Sequence, residues 1–406
     1  SAFSQGVTEL DDLVAALNHQ GFKDEAGQAW SVNSFCTEMQ RLGYSKSKGL
    51  IMTIAQMNLE QYLDLGLRDQ WYPVLASWEV ASSPVGITRL GENIVVWRDG
   101  KGQVHALEDR CPHRGARLSL GWNLGDRVAC WYHGVEVQHD GVVADVPAVH
   151  DCPLKGSACV KTYPVQECHG AIFIWFGLDP KEAPQALELP EQLSSEAWSS
   201  FLCMADWKVN HQYAIDNVMD PMHGTYLHCT SHSMAEGEKT AEMKHRATPH
   251  GFVFEKEGQS GVNFDWVEYG QTGAAWLRLS IPYRPQFGPG GEFWIVGFAT
   301  PIDENNTRVF FWRCRKVSGW QRHVWRFLYR NHLEQLHWDV LEQDRIILEN
   351  LAPNARQHEF LYQHDVGLSR LRRLMKKEAQ KQLEKIANLH READQQRIEI
   401  KDVSHG

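Results

Sequence analysis

Two short runs each place one Cys and one His, soft and borderline metal ligands, close together: Cys111-Pro112-His113-Arg114-Gly115 and Cys130-Trp131-Tyr132-His133-Gly134. Sixteen residues lie between His113 and Cys130, within a region that reads as a small all-β domain. Each of two loop tips therefore carries one Cys and one His. Four such ligands converging hold a tetrahedral metal or an iron–sulfur cluster. Zinc sites usually group two Cys and then two His. A Cys and a His in each half suits two irons better, with thiolates on one iron and imidazoles on the other. Such mixed ligation raises the reduction potential above that of an all-thiolate cluster. On spacing alone a structural zinc site remains the competing reading, with unliganded core cysteines and surface histidines behind it.

The second dense run is Asp216-Asn-Val-Met-Asp220-Pro-Met-His223-Gly224-Thr-Tyr-Leu-His228. On a helix, Asp220 and His223 stand about 60° apart, whereas His228 lies about 140° beyond His223. Both imidazoles reach one ion only if the helix is bulged or ends between them, and Gly224 is a place for that. The same residues also read without a metal: Asp220-Pro221 is a good N-cap followed by Pro at the first helical position.

Cys-x-His-x16-Cys-x2-His with its flanking Pro-His-Arg-Gly and Tyr-His-Gly resembles the Rieske [2Fe–2S] motif. Followed by Asp-x2-His-x4-His, it resembles the large (α) subunits of Rieske non-haem iron oxygenases over roughly residues 68–375. The resemblance implies that Cys111, His113, Cys130 and His133 hold one Rieske cluster per subunit. It implies that His223 and His228 hold one mononuclear Fe(II), with a carboxylate completing a facial triad. For that carboxylate the phthalate and demethylase types point to Asp344, with Glu342 the second candidate. Asp220 matches the acid that bridges the iron site to a cluster histidine, His133, of a neighbouring subunit. The family also implies a homo-oligomer, commonly a trimer, with a small β-subunit left open.

These sites need elements to position them. Residues 1–66 read as a helical extension, with Leu10, Leu13, Val14, Leu17 and again Met57, Leu59, Tyr62, Leu63 at helical spacing. From 67 to 180 the pattern is all-β: 85–90, 93–97, 103–107, a hairpin around Asp140-Gly141, and a buried strand at 170–176. Residues 177–197 read as a Pro-containing linker. The region 181–400 reads as an α+β catalytic domain. Its five strands lie near 251–256, 263–269, 275–281, 292–299 and 307–314, and helices over 320–351 and 366–397 flank an antiparallel sheet.

Composition narrows the function classes. With 41 basic and 51 acidic side chains the net charge is −10, which argues against nucleic acid and anionic membranes as partners. No apolar run is long enough to span a bilayer. Nine cysteines at irregular spacing in a chain this long read as a reducing, cytoplasmic setting. No dinucleotide fingerprint or P-loop is visible, so an NAD(P)H-dependent reductase, directly or through a ferredoxin, must supply electrons. The family resemblance adds O2 and a small aromatic substrate to the expected set, and implies a mono- or dihydroxylating oxygenase of aromatic hydrocarbon catabolism. An N- or O-demethylating monooxygenase is the alternative, and an electron carrier or zinc-stabilised binding protein the reading from another class. Trp266, Tyr269, Trp276, Trp294, Phe298, Phe310, Phe311 and Trp312 either line a pocket for a flat molecule or pack a core. Arg246, Arg278, Arg284 and Arg313 read as surface charges before they read as clamps for a carboxylate.

Overall fold

The computed structural model describes residues 56–149 and 151–403, with scattered positions before residue 56. The Leu10–Leu17 periodicity lies outside the described residues apart from Val14. The later part of the expected extension forms the helix Leu59–Leu65, with Tyr62 and Leu63 buried. Asn58 and Gln61 close its start as a reciprocal capping box.

The chain divides into two compact units. The first includes Val80–Ile87 and Asn93–Tyr163. Its three-stranded sheet runs Val85–Arg89, Glu92–Arg98, Val104–Glu108, and its four-stranded sheet runs Trp122–Asn123, Arg127–Ala129, Glu136–Gln138, Val143–Asp145. The Asp140-Gly141 turn joins the last two strands as the sequence pattern predicts, with Gly141 at φ +81°. Val95, Trp97, Leu107, Val128 and Val137 form the core, into which Cys111 and Cys130 also pack.

The second unit comprises Ala55–Glu79, Thr88–Glu92 and Pro164–Gly406. It therefore takes in the strands Gln70–Ala76 and Ala171–Phe176, which pair antiparallel with each other. Its main element is an antiparallel sheet of seven strands: β1 (Trp198–Trp207), β2 (Met243–Ala247), β3 (Gly251–Lys256), β4 (Trp266–Gln271), β5 (Ala275–Ile281), β6 (Phe293–Pro301) and β7 (Thr307–Lys316). The spatial order is β1-β7-β6-β5-β4-β3-β2. Between β1 and β2 lie helices α1 (His211–Val218) and α2 (Pro221–Leu227). After β7 come α3 (Gly319–Leu328), α4 (Glu334–Glu349) and α5 (Val366–Val403).

Strand alternation divides the labour of the sheet. Trp276, Val296, Phe298, Phe310 and Trp312 point to one face, where they pack with Trp71, Phe173 and Trp175. Leu279, Ile281, Phe293, Ile295, Phe311 and Arg313 point to the other and wall a cavity shared with α1, α2 and α4. The outer strands β1 and β2 escape the sequence pattern for different reasons. β2 presents an almost wholly exposed run, Met243-Lys-His-Arg-Ala, as protected edges do. β1 adjoins the region read as linker and mixes Ser and Asp with its apolar residues. The single helix expected over 320–351 is interrupted by a π-helical turn, Tyr329–Leu333, that buries Tyr329 and Leu333.

Candidate metal centres

In the first unit the two ligand loops are built alike. Cys111 N–H donates to Ala116 O, and Gly115 N–H returns to Cys111 O. Cys130 N–H donates to Val135 O, and Gly134 N–H returns to Cys130 O. Each loop thus closes on a glycine four residues after its cysteine, at φ +77° for Gly115 and +73° for Gly134, a conformation that side chains other than glycine resist. The histidine stands two residues after the cysteine in one loop and three in the other, so the two loops are related but not identical. The cysteines are buried and free, whereas His113 is exposed and His133 half-buried, with ring centroids 4.7 Å apart. Burial pushes the Cys111 thiol up to about 11, and the adjacent Cys130 thiol adds to the rise. Two buried thiols with no basic partner become thiolates when a metal supplies the charge, so the donor set fits a cluster with histidines outermost. Tyr132 packs on His133 at 3.9 Å, and Trp131 and Tyr132 are both exposed beside it.

In the second unit, two histidines five residues apart meet an acid more than a hundred residues later at the cavity. Ligand atoms of His223, His228 and Asp344 all lie within 4.8 Å of one another. Asp344 Oδ1 is 3.5 Å from His223 Nε2 and 3.2 Å from His228 Nε2. The sequence reading required α2 to bulge or end between the two histidines. It ends: Leu227 is its last residue, and His228 caps it at φ −100°, ψ 21°. Gly224 serves a different purpose from the one expected, since a Cβ there would stand 3.2 Å from the Phe264 ring that also packs on His223.

Neighbouring groups set the orientation and proton of each ring. His223 Nδ1–H donates to the Asp220 carbonyl, and His228 Nδ1–H donates to Gln343 Oε1 at 2.8 Å. Both Nε2 atoms therefore carry lone pairs toward the common point. His228 Nε2 is buried and makes no hydrogen bond, although Asp344 lies close by. Asn217 Nδ2 donates to Asp344 Oδ1 at 3.0 Å, which fixes the carboxylate. An orphaned buried nitrogen, a second imidazole and a tethered carboxylate are the donor set of a facial triad for Fe(II).

Glu342, the other candidate acid, is exposed and paired with Arg345 on the solvent side of α4, so it stays apart from the histidines. Asp220 is placed differently from expectation in one respect. Its carbonyl, not its carboxylate, orients His223, because Oδ1 is engaged in capping Met222 N–H at 2.8 Å. Both sequence readings of this run thus coexist: the Asp-Pro cap shapes the helix that delivers His223.

The cavity encloses about 640 Å3 counted to its open mouth. Of the aromatic residues singled out in the sequence, Phe311 lines it; Trp276, Phe298, Phe310 and Trp312 pack the opposite core. Phe264 and Phe293 complete the aromatic wall. Of the four arginines, Arg246, Arg278 and Arg284 pair with Glu255, Glu268 and Glu236. Arg313, expected at the surface, is instead buried and lines the cavity. Asn217, Gln343 and His337 escaped the sequence reading as cavity or orienting residues. The available signal was position: His337, Val340, Leu341 and Asp344 share one helical face.

Comparison with known families accords with this arrangement. Residues 70–164 match the Rieske [2Fe-2S] domain, and residues 207–381 match the vanillate O-demethylase oxygenase C-terminal domain. The chain belongs to the Rieske oxygenase α subunits. It carries a Rieske [2Fe–2S] domain followed by an oxygenase catalytic domain. Residues 1–44 match a recombinase-like helix-turn-helix domain, a segment mostly outside the described residues. Among curated relatives, this Rieske oxygenase subunit is 34% identical over 164 residues to the vanillate O-demethylase oxygenase subunit of Pseudomonas sp. (strain HR199 / DSM 7063), covering 40% of this chain and 46% of that one. It is 29% identical over 209 residues to protein TIC 55, chloroplastic, of Arabidopsis thaliana, covering 49% and 39%. The matches thus span less than half the length of these relatives. The terminal oxygenase of carbazole 1,9a-dioxygenase from Novosphingobium sp. KA1 shares the fold, with TM-score 0.64 at 22% identity over 78% of this chain and 94% of that one. No helix among the described residues is long and apolar enough to cross a membrane.

Proposed function

We propose that the chain is the oxygenase component of a multicomponent system that hydroxylates an aromatic substrate with O2. The observation carrying this reading is the His223–His228–Asp344 triad at the wall of an apolar cavity, in a chain that also carries a Rieske domain. Bound there, Fe(II) would supply open positions at which O2 is activated. The chain's own residues prepare the site. Gln343 and the Asp220 carbonyl accept hydrogen bonds from the two Nδ1 atoms and so turn both Nε2 atoms toward the common point. Asn217 keeps Asp344 from rotating away. Leu279, Ile281, Ile295, Phe293 and Phe311 exclude water and offer flat contact to a ring.

Cys111, His113, Cys130 and His133 hold the cluster in this reading, and Asp220 connects a partner subunit's cluster to the iron site. Three features support that connection. Asp220 Oδ2 makes no hydrogen bond among the described residues. Exposed Tyr226 and Tyr362 accompany it, Tyr362 near enough to feel its charge. Trp131 and Tyr132 offer a matching exposed aromatic rim beside His133. A homo-oligomer, with three subunits as the family habit, brings these surfaces together. Electrons come from a separate reductase, directly or through a ferredoxin; several structures similar in fold are oxygenase–ferredoxin complexes.

O-demethylation is the second reading, favoured by the match of residues 207–381 to the vanillate O-demethylase domain. Incubation of the reconstituted system with methoxylated and unsubstituted aromatics separates the two. Ring hydroxylation gives products heavier by one or two oxygens without formaldehyde; demethylation releases formaldehyde. A reconstituted system, reductase included, that consumes no O2 with any of them contradicts both.

A further inference from the structure

We infer that the substrate is an anion, held by its carboxylate or sulfonate at Arg313 and His337 across the cavity from the triad side chains. The inference rests on the oxygenase reading for the location of the reacting atoms. Its own support is the polar chemistry of the cavity wall.

Arg313 projects from β7 on the same face as Phe311 and pairs in register with Ile295, so its side chain emerges among the apolar residues of the wall. It is 3% exposed. Other buried guanidinium groups in this unit have partners of their own: Arg68 has Glu92, Arg372 has Asp216 and Glu359, Arg315 has three backbone carbonyls and Arg89 has two. Arg313 has no carboxylate partner among the described residues. It uses two of its five N–H donors, toward the Tyr329 hydroxyl at 2.8 Å and the His337 carbonyl at 3.2 Å, while its flat face lies 5.2 Å from the Trp338 ring. A buried charge is tolerated when paired, and this one faces a cavity with room for a partner.

His337 supplies the second contact. Its ring is stacked on Phe293, centroids 4.4 Å apart, and its Nε2 is hydrogen-bonded to the Tyr283 hydroxyl, which also meets His232 Nε2 at 2.6 Å. Nδ1 is buried without any partner. In the tautomer in which His232 Nε2–H donates to the Tyr283 hydroxyl and that hydroxyl donates to His337 Nε2, His337 Nδ1 carries the proton and is a donor in the cavity wall that Arg313 also lines. Burial and the nearby Arg313 charge favour the neutral form of the ring. A guanidinium with spare N–H groups and an imidazole N–H with no acceptor match the oxygens of a carboxylate or sulfonate. The aromatic ring attached to that anion then lies against Phe293 and Phe311, directed toward His223 and His228.

The test compares matched pairs by anaerobic calorimetry on the holoenzyme: 4-methoxybenzoate against 4-methoxybenzamide, and 4-methylbenzenesulfonate against its sulfonamide. At least one anion should bind tenfold or more tightly than its neutral twin. The pair preferred identifies carboxylate or sulfonate as the head group. Arg313→Met should bring that ratio close to one, Arg313→Lys should keep part of it, and His337→Phe, which preserves the stacked ring, should lower it. Equal binding of twins in the wild-type chain overturns the proposal. So does a preference that survives Arg313→Met, or survives both Arg313→Lys and His337→Phe should Arg313→Met fail to fold. Iron and cluster content, measured on the same samples, report on the oxygenase reading separately, because binding is read without turnover.

Discussion

Replacing Gln343 by leucine removes the acceptor for His228 Nδ1–H while keeping the volume of the side chain on α4. The hydrogen bond is 2.8 Å long and partly shielded from solvent. It sets which His228 nitrogen bears the proton and which way the ring faces. In the variant either tautomer is accessible and the ring is free to turn, so Fe(II) must select one arrangement from several. Losing such an orienting partner costs about ten- to a hundredfold in metal affinity, or about 1.4–2.7 kcal/mol. The partial exposure of Gln343 places the expectation toward the lower half of that range. Competition between the anaerobic protein and a chelator of known Fe(II) affinity measures it, with the cluster absorbance as an internal control that should not change. Gln343→Glu offers the opposite case: its carboxylate accepts the same proton more strongly, and affinity should be held or raised. A leucine variant that binds Fe(II) as tightly as the parent does would refute the claim that Gln343 prepares His228.

Three further outcomes follow from the same geometry. Asp220→Asn keeps an N-cap acceptor for Met222 N–H, so both metal sites should load normally, while reoxidation of the reduced cluster by O2 and substrate should slow about a hundredfold in rapid mixing; an unchanged rate removes Asp220 from the electron route. His211, buried and donating to Leu63 O, is held at about 4 by burial against an ordinary 6.5. Because the unfolded chain takes up that proton first, stability is full above about pH 6.5 and declines toward pH 4 by about 3 kcal/mol, a part of the slope that His211→Gln should remove in denaturant titrations. Gly224→Ala sets a methyl 3.2 Å from the Phe264 ring, and the resulting shift of α2 should weaken Fe(II) binding without altering the cluster spectrum; wild-type affinity would show that the ring gives way instead.

The candidate cluster loops were the most legible feature of the sequence, because a Cys and a His recur in each; that each loop closes on a glycine at positive φ emerged only with the structure. The strands of the catalytic unit were legible where alternation divides two buried faces, as at 275–281 and 307–314, and not where one side meets solvent, as at Met243–Ala247. The approach of His223 to His228 was foreseeable only as a condition on the helix, since where α2 stops depends on tertiary packing. Asp344 and Glu342 are two residues apart, and on a helix that spacing turns one inward and the other to solvent. Sequence alone does not say which; burial decides it through the face that carries His337 and Leu341. Arg313 was misjudged for a related reason. A charged residue in an aromatic strand reads as a solvent-facing position, whereas here the face opposite the core is a cavity.

The central claim, one iron held by His223, His228 and Asp344 in addition to the cluster, is tested most directly by iron and sulfide analysis of the anaerobically reconstituted chain and its variants. The account predicts one iron beyond the two accompanying each pair of sulfides, lost in His228→Ala and Asp344→Ala and retained in Glu342→Gln. Retention of the extra iron in the first two variants, or its absence from the parent chain, would contradict it.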